Sequence, residues 1–190
     1  MAPKQSGAKD YAELVALKVF GEAFYKKLRR KRLDKMKTAI FPGSFDPFTS
    51  GHQALVAEGL KIFDKLIIAI GENQDKRGLL TIENRKRLIA DLYKDEPRVE
   101  VVSYHGLTGE YCRDRELKFM LRGMRNTVDF DYERNMMQIN QRLYPEITTV
   151  LLFTPSEYVA VSSSVIREIL SFDGDVAQFM PEGVDLKKYL

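Results

Sequence analysis

Short apolar runs that alternate with helical patterns are the feature that most restricts the fold of this chain. The runs LIIAI (residues 66–70) and TVLLF (149–153) are apolar at successive positions rather than at every second one. Strands of this kind are typical of a parallel sheet whose two faces are both covered. The strand pattern occurs in Thr38–Phe41, Lys65–Gly71, Val99–Tyr104, Phe119–Arg122 and Thr148–Phe153.

The segments between these strands have the three-to-four-residue spacing of amphipathic helices. They cover about 52–63, 82–95, 108–116, 129–143 and 163–171. Parallel strands need a crossover connection, which is usually helical and right-handed, so the alternation predicts an α/β domain. We therefore expect a single domain with a five-stranded parallel sheet and helices on both faces.

The N-terminal segment differs from the rest in charge. Residues 1–37 contain eleven Lys and Arg against four Asp and Glu, whereas residues 38–190 contain nineteen against twenty-three. Apolar residues three and four positions apart predict a helix over about 11–33. We therefore divide the chain into a basic amphipathic helical extension at 1–35, native or added, and a main domain at 36–190. The extension either packs on the domain or on a neighbouring copy, or forms an arm for RNA or a membrane surface.

Cysteine content and hydropathy indicate a cytoplasmic protein. Cys112 is the single cysteine and has no partner for an internal disulfide, so nothing favours secretion. No apolar run approaches the ~20 residues of a membrane span. The main domain is mildly acidic, which argues against a general nucleic-acid-binding surface. We therefore expect neither a membrane nor a nucleic acid among its partners.

Three motifs follow three of the predicted strands and therefore fall on one edge of the sheet. FPGSFDPFTSGH (41–52) follows the first strand, RGMR (122–125) follows the fourth, and SEYVAVSSS (156–164) follows the fifth. Ligands of open α/β sheets bind beyond the carboxyl ends of the strands, where the strand order reverses. The convergence of the motifs predicts a ligand site at that edge.

The first motif has the groups that a phosphate needs. Gly43 and Ser44 allow backbone amides to approach a ligand closely, and the N-terminus of the following helix favours anions. His52, in the first turn of that helix, can donate a hydrogen bond to a phosphate oxygen even when it is neutral. The alternative is a plain turn with Thr49 or Ser50 as the helix cap. The sequence GK[ST] is absent, which disfavours a Walker-type phosphate loop.

The other segments add cations and hydroxyls, each with an ordinary structural alternative. Arg122 and Arg125 suit bidentate recognition of two phosphoryl groups. Alternatively, they form salt bridges with nearby carboxylates: Asp129, Asp131 or Glu133. Ser162–Ser164 offer hydroxyls to a β- or γ-phosphate, or serve as a redundant helix cap. Lys76 offers a mobile ammonium, or is a simple charged loop residue. Together these groups suit phosphoryl or nucleotidyl transfer, where positioning and electrostatics do most of the catalysis.

The three motifs, read together as PGSFDPFTSGH, RGMRNTVDFDYE and SEYVAVSSSVIRE, resemble those of the T/H-x-G-H nucleotidyltransferases, and in particular of the phosphopantetheine adenylyltransferases. The resemblance runs from about Met36 to the end of the chain and leaves out residues 1–35. It implies a Rossmann-like fold and adenylyl transfer from ATP to 4′-phosphopantetheine, giving dephospho-coenzyme A and pyrophosphate in coenzyme A biosynthesis. It also implies Mg²⁺, an in-line displacement without a covalent enzyme intermediate, and a homohexamer.

The resemblance also implies roles for the residues that match the motifs. His52 would steady the transition state, and Lys76 would bridge the attacking phosphate and the α-phosphate. The acceptor would be held by Ser44, Lys76, Thr108 and Arg122. ATP would be held by Ser44, Phe45, His52, Gly123, Met124, Arg125, Glu133, Tyr158, Val159, Ala160, Val161, Ser162, Ser163 and Ser164. No residue is assigned to a metal.

Two departures from the family pattern help to separate the alternatives. Ser44 stands where many members have threonine, and it keeps the hydroxyl and the backbone amide. Thr49 occupies the first histidine position of the wider group, which argues against the cytidylyltransferases. A nicotinamide or nicotinate mononucleotide adenylyltransferase is the closest alternative, since it shares the first motif and the serine-rich one. A non-catalytic nucleotide- or RNA-binding module, with the basic helix as its arm, is the other.

Overall fold

A computed structural model describes residues 36–72 and 78–190 of the chain. Within these residues the predicted strands form one parallel five-stranded sheet. The strands are β1 (Thr38–Gly43), β2 (Lys65–Glu72), β3 (Val99–His105), β4 (Phe119–Met124) and β5 (Thr148–Phe153). β1 runs past its predicted end because its ladder with β2 continues through Pro42 and Gly43.

The α-helices of the described residues lie in the predicted positions, and four of the five begin after a side-chain N-cap. They are α1 (Ser50–Ile62), α2 (Ile82–Leu92), α3 (Thr108–Asp114), α4 (Thr127–Leu143) and α5 (Ser163–Ser171). Thr49 caps α1, so the helix begins at Ser50 rather than at 52. Asn126 caps α4 by accepting the amide hydrogen of Asp129, so α4 begins at Thr127. Short 3₁₀ turns occupy Ser156–Tyr158, Ala177–Phe179 and Leu186–Tyr189.

The strand order is β3-β2-β1-β4-β5, which places the reversal of direction between β1 and β4. From β1 the chain proceeds outward through β2 and β3, and then continues on the other side of β1 with β4 and β5. Pairing between β1 and β4 is confined to Ala39–Phe119 and Ile40–Met120. The carboxyl ends of these two strands are therefore not paired with each other, and a crevice opens between them at the position where such sheets bind ligands.

Successive strand residues belong to two different hydrophobic clusters, one on each face of the sheet. Leu66 and Ile68 of β2 pack in the cluster that includes residues of α1, α2, α5 and the C-terminal segment. Ile67 and Ala69 pack in the other cluster, with Cys112 of α3. Because both faces are covered, the run Leu66–Ile70 of β2 is apolar at every position. The predicted α/β architecture with helices on both faces is confirmed.

Two predictions concern parts of the chain other than this sheet. The helical extension at 1–35 lies outside the described residues, so its prediction stands as made. Among the described residues, no helix is both long enough and apolar enough to cross a membrane.

Candidate active site

A cleft of about 350 Å³ lies at the carboxyl edge of the sheet, where the three sequence motifs meet. Its walls come from the turn after β1, the end of β4, the first half of α4 and the N-terminus of α5. The predicted site residues that line it are Ser44, Phe45, His52, Arg122, Gly123, Arg125, Glu133, Val161, Ser162, Ser163 and Ser164. The structure therefore brings most of the predicted set together around one cavity.

The remaining predicted residues are not among the described residues that line the cleft. Met124 is buried and does not line the cleft. Tyr158, Val159 and Ala160 lie in and after the 3₁₀ turn that follows β5, also outside the cleft lining. Lys76 falls in 73–77, outside the described residues. The roles of these residues stay predictions.

The turn after β1 is held in a conformation that few side chains adopt. Phe45 has φ +48°, in the left-handed region, and its ring is buried against Phe41 and Phe48. A Cβ on Gly43 would come within 2.7 Å of the Phe45 ring, so only glycine fits there. Packing of the ring thus stabilises a tight turn beside the cleft.

His52 is held by a capping box in a defined tautomer. Its Nδ1 accepts the amide hydrogen of Thr49 at 3.0 Å, and its own amide donates to Thr49 Oγ1 at 3.3 Å. With Nδ1 occupied as an acceptor, the ring proton belongs on Nε2. Burial, with smaller contributions from the charges of Arg125 and Arg122, lowers the pKa of His52 from 6.5 to about 4. At neutral pH the ring is therefore an uncharged N–H donor.

Arg122, at the end of β4, is fixed by three hydrogen bonds that it donates to two other elements. Its Nε and Nη2 donate to the two carboxylate oxygens of Glu133 on α4, at 2.8 and 2.5 Å. Its Nη1 donates to the carbonyl of Pro42 in β1 at 2.8 Å. Burial opposes the charge, but the hydrogen bonds and attraction of Glu133 outweigh it and raise the pKa of Arg122.

Arg125 forms a second arginine–carboxylate pair, with Asp129, which lies one helical turn before Glu133 on α4. Its Nε and Nη2 donate to Asp129 at 2.9 and 3.2 Å, and its backbone amide donates to the same carboxylate at 3.0 Å. The hydrogen bonds from Arg125 lower the pKa of Asp129. Both arginines are thus paired with carboxylates that sequence analysis proposed as alternatives, whereas Asp131 lies near Arg134 instead.

The three serines at the start of α5 have different partners, so they are not a redundant cap. Ser162 is the N-cap and accepts the amide hydrogen of Val165. Ser163 donates to the carbonyl of Pro47 at 2.8 Å, which ties α5 to the turn after β1. Ser164 accepts a hydrogen bond from Arg167 at 3.2 Å.

Arg167 is a cleft residue that sequence analysis missed. It lines the cleft and donates a hydrogen bond at 2.6 Å to the carbonyl of Asp46, in the turn after β1. It lies three residues after Ser164, in the first turns of α5, so helical spacing could have placed it beside the serines. Among the residues that the structure describes, three arginines therefore line the cleft rather than the two that the motifs suggested.

A smaller cavity of about 180 Å³ adjoins the cleft and shares Pro42, Arg122 and Glu133 with it. Its other walls are mostly apolar or neutral: Thr108, Met120, Tyr132, Met136, Met137, Asn140 and Thr149. Thr108, which was predicted to bind the acceptor, lies here and its Oγ1 is 2.6 Å from the hydroxyl of Tyr104. Arg122 therefore borders both the cleft, which has further charged side chains, and a cavity whose unshared walls have none.

Comparison with known proteins identifies the family. Residues 40–169 match the family described as cytidylyltransferase-like. The phosphopantetheine adenylyltransferase of Bacteroides thetaiotaomicron is 45% identical over 80% of this chain and 99% of that protein. That of Flavobacterium johnsoniae is 41% identical over 80% of this chain and 100% of that protein. The chain belongs to the phosphopantetheine adenylyltransferase family. Membership confirms the resemblance carried by the three motifs and favours it over the alternatives.

A solved structure supports the fold of this phosphopantetheine adenylyltransferase family member. A bifunctional NMN adenylyltransferase/ADP ribose pyrophosphatase from Francisella tularensis aligns with TM-score 0.62 and 17% identity. The alignment covers 80% of this chain and 46% of the bifunctional chain. At this identity the likeness shows the nucleotidyltransferase fold alone.

The donor groups of the cleft do not form a site for a resident Mg²⁺. Among the described residues, no group of three or more His, Cys, Asp or Glu side chains could hold a metal ion. The cleft carboxylates, Asp129 and Glu133, are both paired with arginines. Mg²⁺ commonly binds through one or two carboxylates plus substrate phosphates. The described residues of the cleft therefore fit an ion that substrate phosphates would hold for the most part.

Proposed function

We propose that this chain transfers the adenylyl group of ATP to 4′-phosphopantetheine, which gives dephospho-coenzyme A and pyrophosphate. The observation that carries this proposal is the position of the Arg122 guanidinium. It borders two adjoining cavities that differ in how many charged side chains line them. The cleft, which Arg125 and Arg167 also line, suits a nucleoside triphosphate, and the smaller cavity, whose unshared walls are uncharged, suits an uncharged arm that ends in a phosphate. The relatives at 41–45% identity support the assignment by their names.

The reaction is an in-line displacement at the α-phosphorus of ATP. An oxygen of the acceptor's phosphate forms a new bond to that phosphorus, while the bond to the β-phosphate bridging oxygen breaks. Pyrophosphate leaves with the electron pair. Charge on the phosphoryl oxygens is stabilised by fixed donors, because there is little covalent chemistry for the protein to perform.

His52 acts as one of these donors, through the Nε2 hydrogen. The capping box holds the ring, and the low pKa keeps it neutral, so donation needs no change of protonation state. The N-termini of α1 and α5 line the same cleft, and helix N-termini favour anions such as the β- and γ-phosphates. Arg167 and Arg125 add positive charge there.

The acceptor occupies the smaller cavity, with its phosphate on Arg122. Two of the five N–H groups of Arg122 remain for a phosphate oxygen after its three internal hydrogen bonds. The methionine side chains of α4 contact the pantetheine arm, and Thr108 contacts it from α3. Lys76 completes the set as the bridging ammonium between the attacking phosphate and the α-phosphate.

Three further properties belong to the same proposal. The enzyme uses Mg²⁺ bound to ATP, acts in the cytoplasm and assembles as a homohexamer. Support for an assembly comes from large apolar side chains that are exposed on α4 and β5: Val128, Tyr132, Ile139, Leu143 and Phe153. Such exposure is typical of an interface with another copy of the chain.

A pyrophosphate-release assay tests the proposed activity. The full chain is mixed with Mg·ATP and either 4′-phosphopantetheine or nicotinamide mononucleotide, and pyrophosphate is measured by a coupled enzyme. We expect turnover with 4′-phosphopantetheine alone. Turnover with the mononucleotide alone would replace the proposed acceptor. ATP binding without turnover of either acceptor would indicate a non-catalytic nucleotide-binding protein.

A further inference from the structure

Asp46 is a buried carboxylate in the turn after β1, the turn that also contains Ser44 and Phe45. Its side chain belongs to a residue that is 5% exposed and that does not line the cleft. Burial of a carboxylate is costly unless a cation pairs with it and hydrogen bonds satisfy its oxygens. The partners of Asp46 therefore indicate what it does.

The carboxylate of Asp46 holds the segment that leads into α2. Its Oδ2 accepts the amide hydrogen of Leu79 and its Oδ1 accepts that of Leu80, each at 2.8 Å. Its Oδ1 also lies 3.2 Å from Nε of Arg85, a buried residue of α2. Both oxygens are thus engaged by one short stretch of chain. The turn after β1 is therefore attached to the start of α2.

Arg85 holds the peptide group between Ser44 and Phe45 from outside the cleft. Its Nε and Nη2 donate to the carbonyl of Leu80 at 2.9 and 2.7 Å, and its Nη1 donates to the carbonyl of Ser44 at 3.2 Å. The C=O and N–H of a planar trans peptide point in opposite directions, so this bond also directs the amide hydrogen of Phe45 away from Arg85. Ser44 and Phe45 line the cleft, whereas Arg85 does not. Arg85 therefore sets the orientation of a peptide group that borders the cleft.

Gly78 leaves the space that the Asp46–Arg85 pair occupies. A Cβ on Gly78 would clash with Nη2 of Arg85 and would come within 2.7 Å of Oδ2 of Asp46. Overpacking of this kind forces the neighbouring side chains to shift. A substitution at Gly78 can therefore disturb the geometry of the pair while both of its charges remain.

We propose that Asp46 and Arg85 are positioning residues, which hold the Ser44–Phe45 peptide in place for adenylyl transfer. This inference rests on the proposed function, and the family resemblance places Ser44 with both substrates. Small displacements matter at such a position, because a misplacement of about 1 Å can cost about 100-fold in rate. The pair acts through the turn after β1, and neither of its side chains lines the cleft.

Arg87 offers a matched control on the same helix. It lies two residues after Arg85, and its Nη2 donates to the carbonyl of Lys188 at 2.9 Å. Lys188 belongs to the 3₁₀ turn Leu186–Tyr189, and neither Arg87 nor Lys188 lines the cleft. Replacement of either arginine by lysine is the same chemical change, but only Arg85 holds a carbonyl that borders the cleft.

The test is steady-state kinetics of Arg85→Lys, Gly78→Ala and Arg87→Lys, with Mg·ATP and 4′-phosphopantetheine varied separately. Lysine keeps the charge opposite Asp46 but lacks the planar fork that reaches two carbonyls. We expect Arg85→Lys and Gly78→Ala each to lower kcat on the order of 10-fold, while the KM of either substrate changes by about threefold at most. Arg87→Lys should keep the wild-type kcat. Thermal unfolding measures the folded fraction to which each kcat is referred.

The outcomes separate positioning from a purely structural role. A wild-type kcat in Arg85→Lys would overturn the inference, because the pair would then only balance a buried charge. A lower unfolding temperature of Gly78→Ala with an unchanged kcat would overturn it as well. An equal loss in Arg87→Lys would show a general effect of changes on α2 and would also overturn it. If one of the two cleft-side variants does not fold, the other decides. A wild-type enzyme without turnover would instead refute the proposed function, so the two failures are distinguishable.

Discussion

The two arginine–carboxylate pairs at the end of β4 have the same chemistry but differ in how far apart along the chain their partners lie. Arg125 and Asp129 are four residues apart, with side chains 34% and 23% exposed. Arg122 and Glu133 are eleven residues apart, with side chains 28% and 8% exposed. The first pair joins a strand end to the helix turn that follows it, whereas the second joins β4 to the middle of α4.

The difference shows how one type of ion pair can serve two purposes. The Arg125–Asp129 pair includes a backbone hydrogen bond and stabilises the local connection between β4 and α4. The Arg122–Glu133 pair spans two elements at the boundary of two cavities. Loss of the more exposed pair should be tolerated better, because solvent can replace its partners.

The largest kinetic effect is expected at His52, which lines the cleft and lies near enough to both arginines for their charges to affect its pKa. We expect His52→Gln to lower kcat on the order of 100-fold or more while the KM for ATP changes little, as for loss of a donor to the transition state. Glutamine at this helix position can keep the capping box with Thr49, so the start of α1 is preserved. Steady-state kinetics are the measurement; a raised KM with unchanged kcat would contradict the role.

Arg122→Ala should have the next largest effect, directed at the acceptor. The change removes a charged hydrogen-bond donor and leaves Glu133 buried without a partner. We expect kcat/KM for 4′-phosphopantetheine to fall on the order of 100-fold, with a smaller change in the KM for ATP. If both substrates are affected equally, the two pairs do not divide recognition between them.

Arg125→Ala should have a smaller effect and should act on the other substrate. Arg125 lines the cleft but not the smaller cavity, and its partner, Asp129, is partly exposed to solvent. We expect the KM for ATP to rise by about 10-fold, as for one charged hydrogen bond, with the KM for 4′-phosphopantetheine unchanged. Calorimetric binding of ATP to the same variant provides an independent check; an acceptor-specific loss would reverse the comparison.

The smallest effect concerns the pKa of His52. Both arginines disfavour its protonated form, and Arg125 does so more strongly than Arg122. Removing Arg125 should therefore raise the pKa of His52 from about 4 more than removing Arg122 does. Burial, the largest cause, remains in both variants, so both values should stay below 6.5. NMR titration of the imidazole measures the shifts, and the opposite ranking would place Arg122 closer to the ring.

The same pKa fixes the sign of the effect of pH on stability. The unfolded chain binds a proton at His52 near pH 6.5, whereas the folded chain resists it down to about pH 4. The contribution of His52 to the free energy of unfolding is therefore full above pH 6.5 and is lost as pH falls from 6.5 to 4. His52→Gln should flatten this part of the stability curve measured by denaturant unfolding. At neutral pH, turnover should show no limb from ionisation of His52.

The sheet and the location of the site could be predicted because their signals are local or follow from topology. Runs such as Leu66–Ile70 are apolar at every position, which requires burial on both faces. The carboxyl ends of parallel strands share one edge, so the motifs after β1, β4 and β5 had to converge. Thr49 could be named as a possible cap for the same reason, because capping depends on neighbours within one turn.

The sequence by itself therefore determined the strands, the helices that cover them, and the edge on which the site lies. Tertiary structure decided the properties that depend on groups distant along the chain. These include the tautomer-fixed, low-pKa imidazole of His52 and the pairing of Arg122 with Glu133 rather than with Asp131. Burial and the approach of charges from other elements set these properties, and neither can be read from the spacing of residues within one motif.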